Sequence, residues 1–151
     1  MKRSTFNYIA DMLRDYPHID EYIRDRREML MYPYDEDHDE NVGGGKGNKI
    51  SKPQENFVVR LEDDKWLQNM LRQQAIITKC LNRANEITKE LLDELYFKDI
   101  PELTLTGVAV KYHLDKGQLS RYRSAFFVDV AQSLGMQYES TNTQHRNTIR
   151  Q

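Results

Sequence analysis

Cysteine is nearly absent: the 151 residues hold one, Cys80, which has no disulfide partner and cannot by itself build a thiolate zinc site. Long apolar runs are missing too. Runs such as Phe126-Phe127-Val128 and Ala75-Ile76-Ile77 fall far short of the ~20 residues needed to cross a bilayer. The opening Met1-Lys2-Arg3-Ser4-Thr5 leads into Asp11, Arg14 and Asp15 rather than into an apolar signal-peptide core. A membrane span and secretion are therefore not expected, and the compartment that fits is a reducing cytosol. Glycine and proline are sparse, 7 and 4 in all, with neither between Pro53 and Pro101. No stretch alternates with the period of two that a half-buried strand requires, so the expected fold class is all-α. With 38% hydrophobic residues, 30% charged residues and a mean hydropathy of -0.82, there is room for one modest core or two small ones.

Composition divides the chain into four stretches, expected to be an N-terminal helical segment (1–32), an acidic and Gly-rich linker (33–54), a DNA-binding domain (55–137) and a disordered polar tail (138–151). In the first, Ile9, Met12, Tyr16, Ile19, Ile23 and Leu30 recur at helical spacing. Pro17 interrupts them, which predicts a kink or two short helices. The second holds Tyr32-Pro33-Tyr34, the acids Asp35, Glu36, Asp37, Asp39 and Glu40, and Gly43-Gly44-Gly45-Lys46-Gly47, with almost nothing to bury. The third carries a stripe of Trp66, Met70, Ile77, Cys80 or Leu81, Ala84, Ile87, Leu91 and Leu95, which predicts one long helix or two in series. That stripe is either core or, from its near-heptad steps, an oligomerisation seam. The two ends should be separable, so a fragment from about Gln54 onward is expected to keep DNA binding but lose activation.

The informative segment runs from Leu105 to Tyr122. A helix-turn-helix needs apolar residues on the facing sides of two helices and a small residue where they cross. Leu105, Val108, Ala109, Tyr112, Leu114, Leu119 and Tyr122 fall at the positions such a motif buries, with Ala109 as the small one. His113 takes the turn position where Gly is common, and His tolerates a positive φ better than most residues. Asp115 is placed to cap the second helix, with Gln118 able to reach back to it.

On a helical wheel the second helix puts Leu119, Tyr122, Phe126 and Val130 on one side and Gly117, Ser120, Arg121 and Ser124 on the other. That polar face is free of acids. Arg can read guanine, and short hydroxyls let a backbone come close to the base edges. Lys116 and Gln118 fall in the first turn, the part of a recognition helix nearest the bases. The expected division has Lys111 and Lys116 on phosphates and Arg121, Gln118 and Ser120 on base edges. Arg123, close to the apolar stripe, suits a phosphate or an ion pair with Asp129. Local charge agrees: from Thr104 on, Lys111, Lys116, Arg121, Arg123, Arg146 and Arg150 face only Asp115, Asp129 and Glu139, although the chain's net charge is -2.

The sequence also resembles a known family. The Lys2-Arg3-Ser4-Thr5-Phe6-Asn7-Tyr8-Ile9 opening, Tyr32-Pro33-Tyr34 followed by Asn41-Val42-Gly43-Gly44-Gly45-Lys46, the helix ending Leu95-Tyr96-Phe97 and the terminal motif with Arg121-Tyr122-Arg123 are similar to RinA/ArpU-type phage regulators. The likeness covers nearly the whole chain in the same order. It implies a C-terminal domain like region 4 of sigma factors, binding to double-stranded promoter or operator DNA, and activation of late phage genes for packaging and morphogenesis. The family's recognition positions fall here on Lys116, Gln118, Ser120, Arg121 and Arg123. Host RNA polymerase is the expected protein partner of the acidic half, a homo-oligomer is compatible with the sequence, and the bacterial host's cytoplasm is the expected location.

Other motifs fail. Gly43 to Gly47 does not fit the spacing of a phosphate loop and follows no strand. The acids from Asp35 to Glu40, with His38, lack the EF-hand pattern, and His18, His38, His113 and His145 lack metal-ligand spacing. Neither an enzyme nor a cofactor is expected. Two rivals to the regulator share its features: a small terminase-like subunit that recognises DNA as a ring, and a helical adaptor or antirepressor that binds only protein.

Overall fold

The computed structural model describes residues 1–32 and 53–136. The Gly-rich and acidic linker, apart from its last two residues, and the expected polar tail lie outside them. Every regular element among the described residues is helical. They are α1 (Arg3–Asp15), α2 (Ile19–Met31), α3 (Pro53–Asp63), α4 (Lys65–Arg83), α5 (Glu86–Leu92), α6 (Leu105–Tyr112) and α7 (Lys116–Ser133). A 3-10 turn over Tyr16–His18 separates α1 from α2, the interruption that Pro17 predicts.

The stretch from Pro53 to Phe97 is more broken than its lack of Gly and Pro suggests. Side-chain caps end and restart it. The Asp64 carboxylate accepts from Leu67 N–H at 2.7 Å and opens α4, and Asn85 Oδ1 accepts from Thr88 N–H at 2.8 Å and opens α5. The chain then closes with one π-helical turn over Asp93–Phe97.

Among the described residues two compact units result, one of residues 1–17 and 75–136 and the other of residues 18–32 and 53–74. In the first, α1 supplies Ile9, Ala10, Met12 and Leu13 to the same core as Ile77 and Cys80 of α4, Leu92 of α5, and Phe126, Phe127, Val130 and Ala131 of α7. Phe6 stacks on Phe127 with ring centroids 4.5 Å apart. From Ile77 onward the apolar stripe of α4 and α5 belongs to this unit, where Ile77, Cys80 and Leu91 are fully covered; Trp66, at its other end, is exposed. Burial also pushes the Cys80 thiol pKa up. A fragment beginning at residue 54 would lack every α1 contribution to this core. Ile9 and Leu13 are wholly buried, so such a fragment would expose the apolar residues they cover.

The second unit has a smaller interior. Ile19, Ile23 and Leu67 are buried, and Arg26 forks onto Asp64 through Nη2 at 2.6 Å and Nε at 3.3 Å while lying over the Trp66 ring. The hydrogen bond from Arg26, then that from the Leu67 N–H, holds the Asp64 carboxyl below its ordinary range.

Candidate nucleic-acid interface

The α6-turn-α7 segment is held together by a second small core. Leu91, Val108, Ala109 and Leu119 are buried in it, with Ile87, Leu95, Leu103, Leu105, Tyr112, Leu114 and Tyr122 packed around them. Every apolar position picked from the sequence of this segment lies in that cluster. Thr104 Oγ1 accepts from Gly107 N–H and starts α6. At its end His113 adopts the left-handed conformation, φ 54° and ψ 42°, and Leu114 N–H returns to Ala109 C=O at 2.9 Å. That 6→1 bond with an apolar contact behind it is a Schellman ending, formed here with His where Gly is usual.

Asp115 caps α7 as expected, accepting from Gln118 N–H at 2.8 Å. Gln118 does not reach back. Its Nε2 donates to the Tyr122 hydroxyl at 3.0 Å, one turn further along the helix, so this side chain is half-buried and braced. Gly117 serves the cap as well: a Cβ there would stand 3.0 Å from the Asp115 carboxylate oxygen. Lys116, Arg121 and Ser124 are exposed and Ser120 is half-buried. Among the described residues neither Lys116 nor Arg121 has an acidic partner.

Two cations are placed differently from expectation. Arg123 makes no pair with Asp129. Its guanidinium lies over the Phe6 ring, 5.4 Å from the centroid, while Arg83 takes both oxygens of Asp129 at 2.8 and 2.9 Å. The sequence could not show this, since Arg83 and Phe6 reach the site from α4 and α1. Lys111 is bound to Glu94, a carboxylate that sequence reasoning missed. Glu94 is 4% exposed, turned inward on the π-helical turn, and also holds Lys98 Nζ at 2.7 Å and the Tyr112 hydroxyl at 3.3 Å. Lys111 thus ties α6 to the end of α5 instead of standing free for a phosphate. The only sequence signal is Lys98 four residues after Glu94, a common surface pattern that says nothing about burial.

Hydrogen bonding to Lys111, and then to Lys98, lowers the Glu94 pKa from 4.5 to about 2. A depressed carboxylate pKa adds stability that is fully present above the unfolded value and is lost as pH falls from about 4.5 towards 2. Chemical denaturation across that window should show stability falling with acid, and Glu94→Gln should remove this part of the slope while destabilising the protein at pH 7. An unchanged slope in the variant would show that other carboxylates carry it.

The fold and this surface define an all-helical protein in which α6 and α7 share a small core with α5 and α7 turns outward a face with cations but no acids. The chain belongs to the family described as Protein of unknown function (DUF722), whose model matches residues 6–132. It is also similar to the "Transcriptional activator rinA" of Staphylococcus phage phi11, 24% identical over 139 residues that cover 89% of this chain and 94% of that protein. This agrees with a RinA-type family at a distance. No solved structure matches significantly. No helix among the described residues is long and apolar enough to cross a membrane.

Proposed function

We propose that the chain is a phage transcriptional regulator that binds double-stranded DNA sequence-specifically, with α6 and α7 as the helix-turn-helix and α7 as the recognition helix. The observation that carries this reading is the outward face of α7's first turns: Lys116 and Arg121, unpaired among the described residues, beside Gly117, Ser120 and Ser124. Cations without an acid beside them attract phosphate, and the small residues among them let the helix backbone approach base edges in a major groove. Arg121 reads a base, Ser120 and Ser124 admit close approach, Lys116 meets a phosphate, and Gln118 acts from its brace on Tyr122. The relative's name, a transcriptional activator, supports activation; late packaging and morphogenesis genes as targets, host RNA polymerase as protein partner and the host cytoplasm as the place complete the proposal.

Selection of bound duplexes from a random-sequence pool tests this directly. A defined sequence should emerge, and its affinity should fall steeply with salt, by a log-log slope of about -0.9 per phosphate neutralised. Salt-independent binding, or no enriched sequence, would overturn the reading and favour an adaptor that meets only protein. A ring-sized mass in solution would favour the terminase-like alternative.

A further inference from the structure

The cations of the first unit are unevenly satisfied. Arg14, Arg83, Lys89, Lys98 and Lys111 each rest on a carboxylate. Lys2, Arg3, Lys116 and Arg121 are exposed without one, Arg123 has only the Phe6 ring, and exposed Lys79 on α4 completes the unpaired set among the described residues. Apart from Lys79, the unpaired charges belong to two places, the start of α7 and the start of α1.

The two places meet at Arg123. The Phe6 ring stacks on Phe127 and sits under Arg123, and Lys2 and Arg3 precede Phe6 by about one helical turn, roughly 5 Å along the axis. On α7, Lys116, Ser120, Arg123 and Phe127 recur at steps of four, three and four, a single stripe of which Arg123 and Phe127 meet Phe6 of α1. The stripe of Gly117, Arg121 and Ser124 lies next to it. The first turn of α1 contains no acid, and Lys2 makes no side-chain cap bond.

Geometry says what such a flank can touch. A major groove about 12 Å wide is filled by one helix of about 10–12 Å diameter. A second helix packed about 8–10 Å to its side therefore meets the phosphate backbone bordering the groove, not the bases. We infer that Lys2 and Arg3, with Arg123, form a phosphate-binding edge beside α7 that grips the DNA backbone flanking the groove that α7 enters. This inference rests on the DNA-binding reading above. It assigns α1, a helix outside the α6-α7 pair, both a core-filling and a DNA-contacting role.

The test compares the full-length chain with the Lys2→Ala/Arg3→Ala and Lys2→Arg/Arg3→Lys double variants, on the selected duplex and on an unrelated duplex of equal length. Circular dichroism and melting report folding. The alanine variant should fold normally, bind both duplexes roughly 10- to 100-fold more weakly at about 0.1 M salt, and show a salt slope shallower by about 1.8. The charge-conserving variant should restore both readouts. Equal loss on both duplexes is the mark of a phosphate contact. If the unmodified chain selects its sequence while the folded alanine variant keeps its affinity and slope, the edge does not exist although the recognition helix does. If the alanine variant is weakened by misfolding, failure of the charge-conserving variant to restore the slope overturns the edge as well. A chain that selects no DNA brings down the underlying reading, and the edge with it.

Discussion

Truncating Arg121 to alanine should leave the protein folded and weaken it on its own DNA site by about 1–3 kcal/mol, roughly 5- to 150-fold, with relaxed preference at one base pair. The side chain is exposed and without an acidic partner among the described residues, so nothing in the folded chain is lost with it. Leu119, two residues earlier, is fully buried between α6 and α7, and its truncation should do the opposite, costing about 2–5 kcal/mol of stability. Melting curves and titrations against the selected site, made on both variants, separate the two effects. Unchanged affinity in a folded Arg121→Ala protein would remove α7 from the role of recognition helix.

The largest loss of stability is expected from Phe127→Ala, about 3–5 kcal/mol. Its ring is fully buried, stacked on Phe6 of α1 and tilted against Tyr96 at 5.6 Å. One substitution therefore loosens α1, the π-helical turn and α7 together. Because α1 brings Lys2 and Arg3 to the flank of α7, the same variant should also lose part of its salt-dependent DNA binding under conditions where most molecules remain folded. Urea unfolding monitored by circular dichroism gives the first quantity. A cost below about 1 kcal/mol would mean that α1 is not docked on α7.

Local pattern determined a good deal. Helical periodicity without any period-two stretch set the all-α class. Pro17 marked the break between α1 and α2, the seven apolar residues from Leu105 to Tyr122 identified the α6-α7 core, and Asp115 announced the cap of α7. Each depends on interactions between residues within a few positions of one another, where spacing alone decides which side chains share a face. The α4-α5 break rests on the Asn85 cap, while the apolar stripe runs across it and leaves one long helix and two in series both open in the sequence.

Tertiary structure alone decided which charges are free. Lys111 and Lys116 look alike in the sequence, yet the first neutralises a buried carboxylate seventeen residues away and the second has no acid among the described residues. Arg123 and Asp129 stand close enough in sequence to pair, but Arg83 arrives from α4 to take Asp129 and Phe6 arrives from α1 to take Arg123. Joining α1 to the unit that carries α7 was likewise beyond local reading, since it depends on apolar faces more than a hundred residues apart meeting in one core. Hydrophobic burial is non-directional: periodicity tells a helix which face to hide but not which partner will cover it. The choice of partner then fixes which cations are left unpaired at the surface.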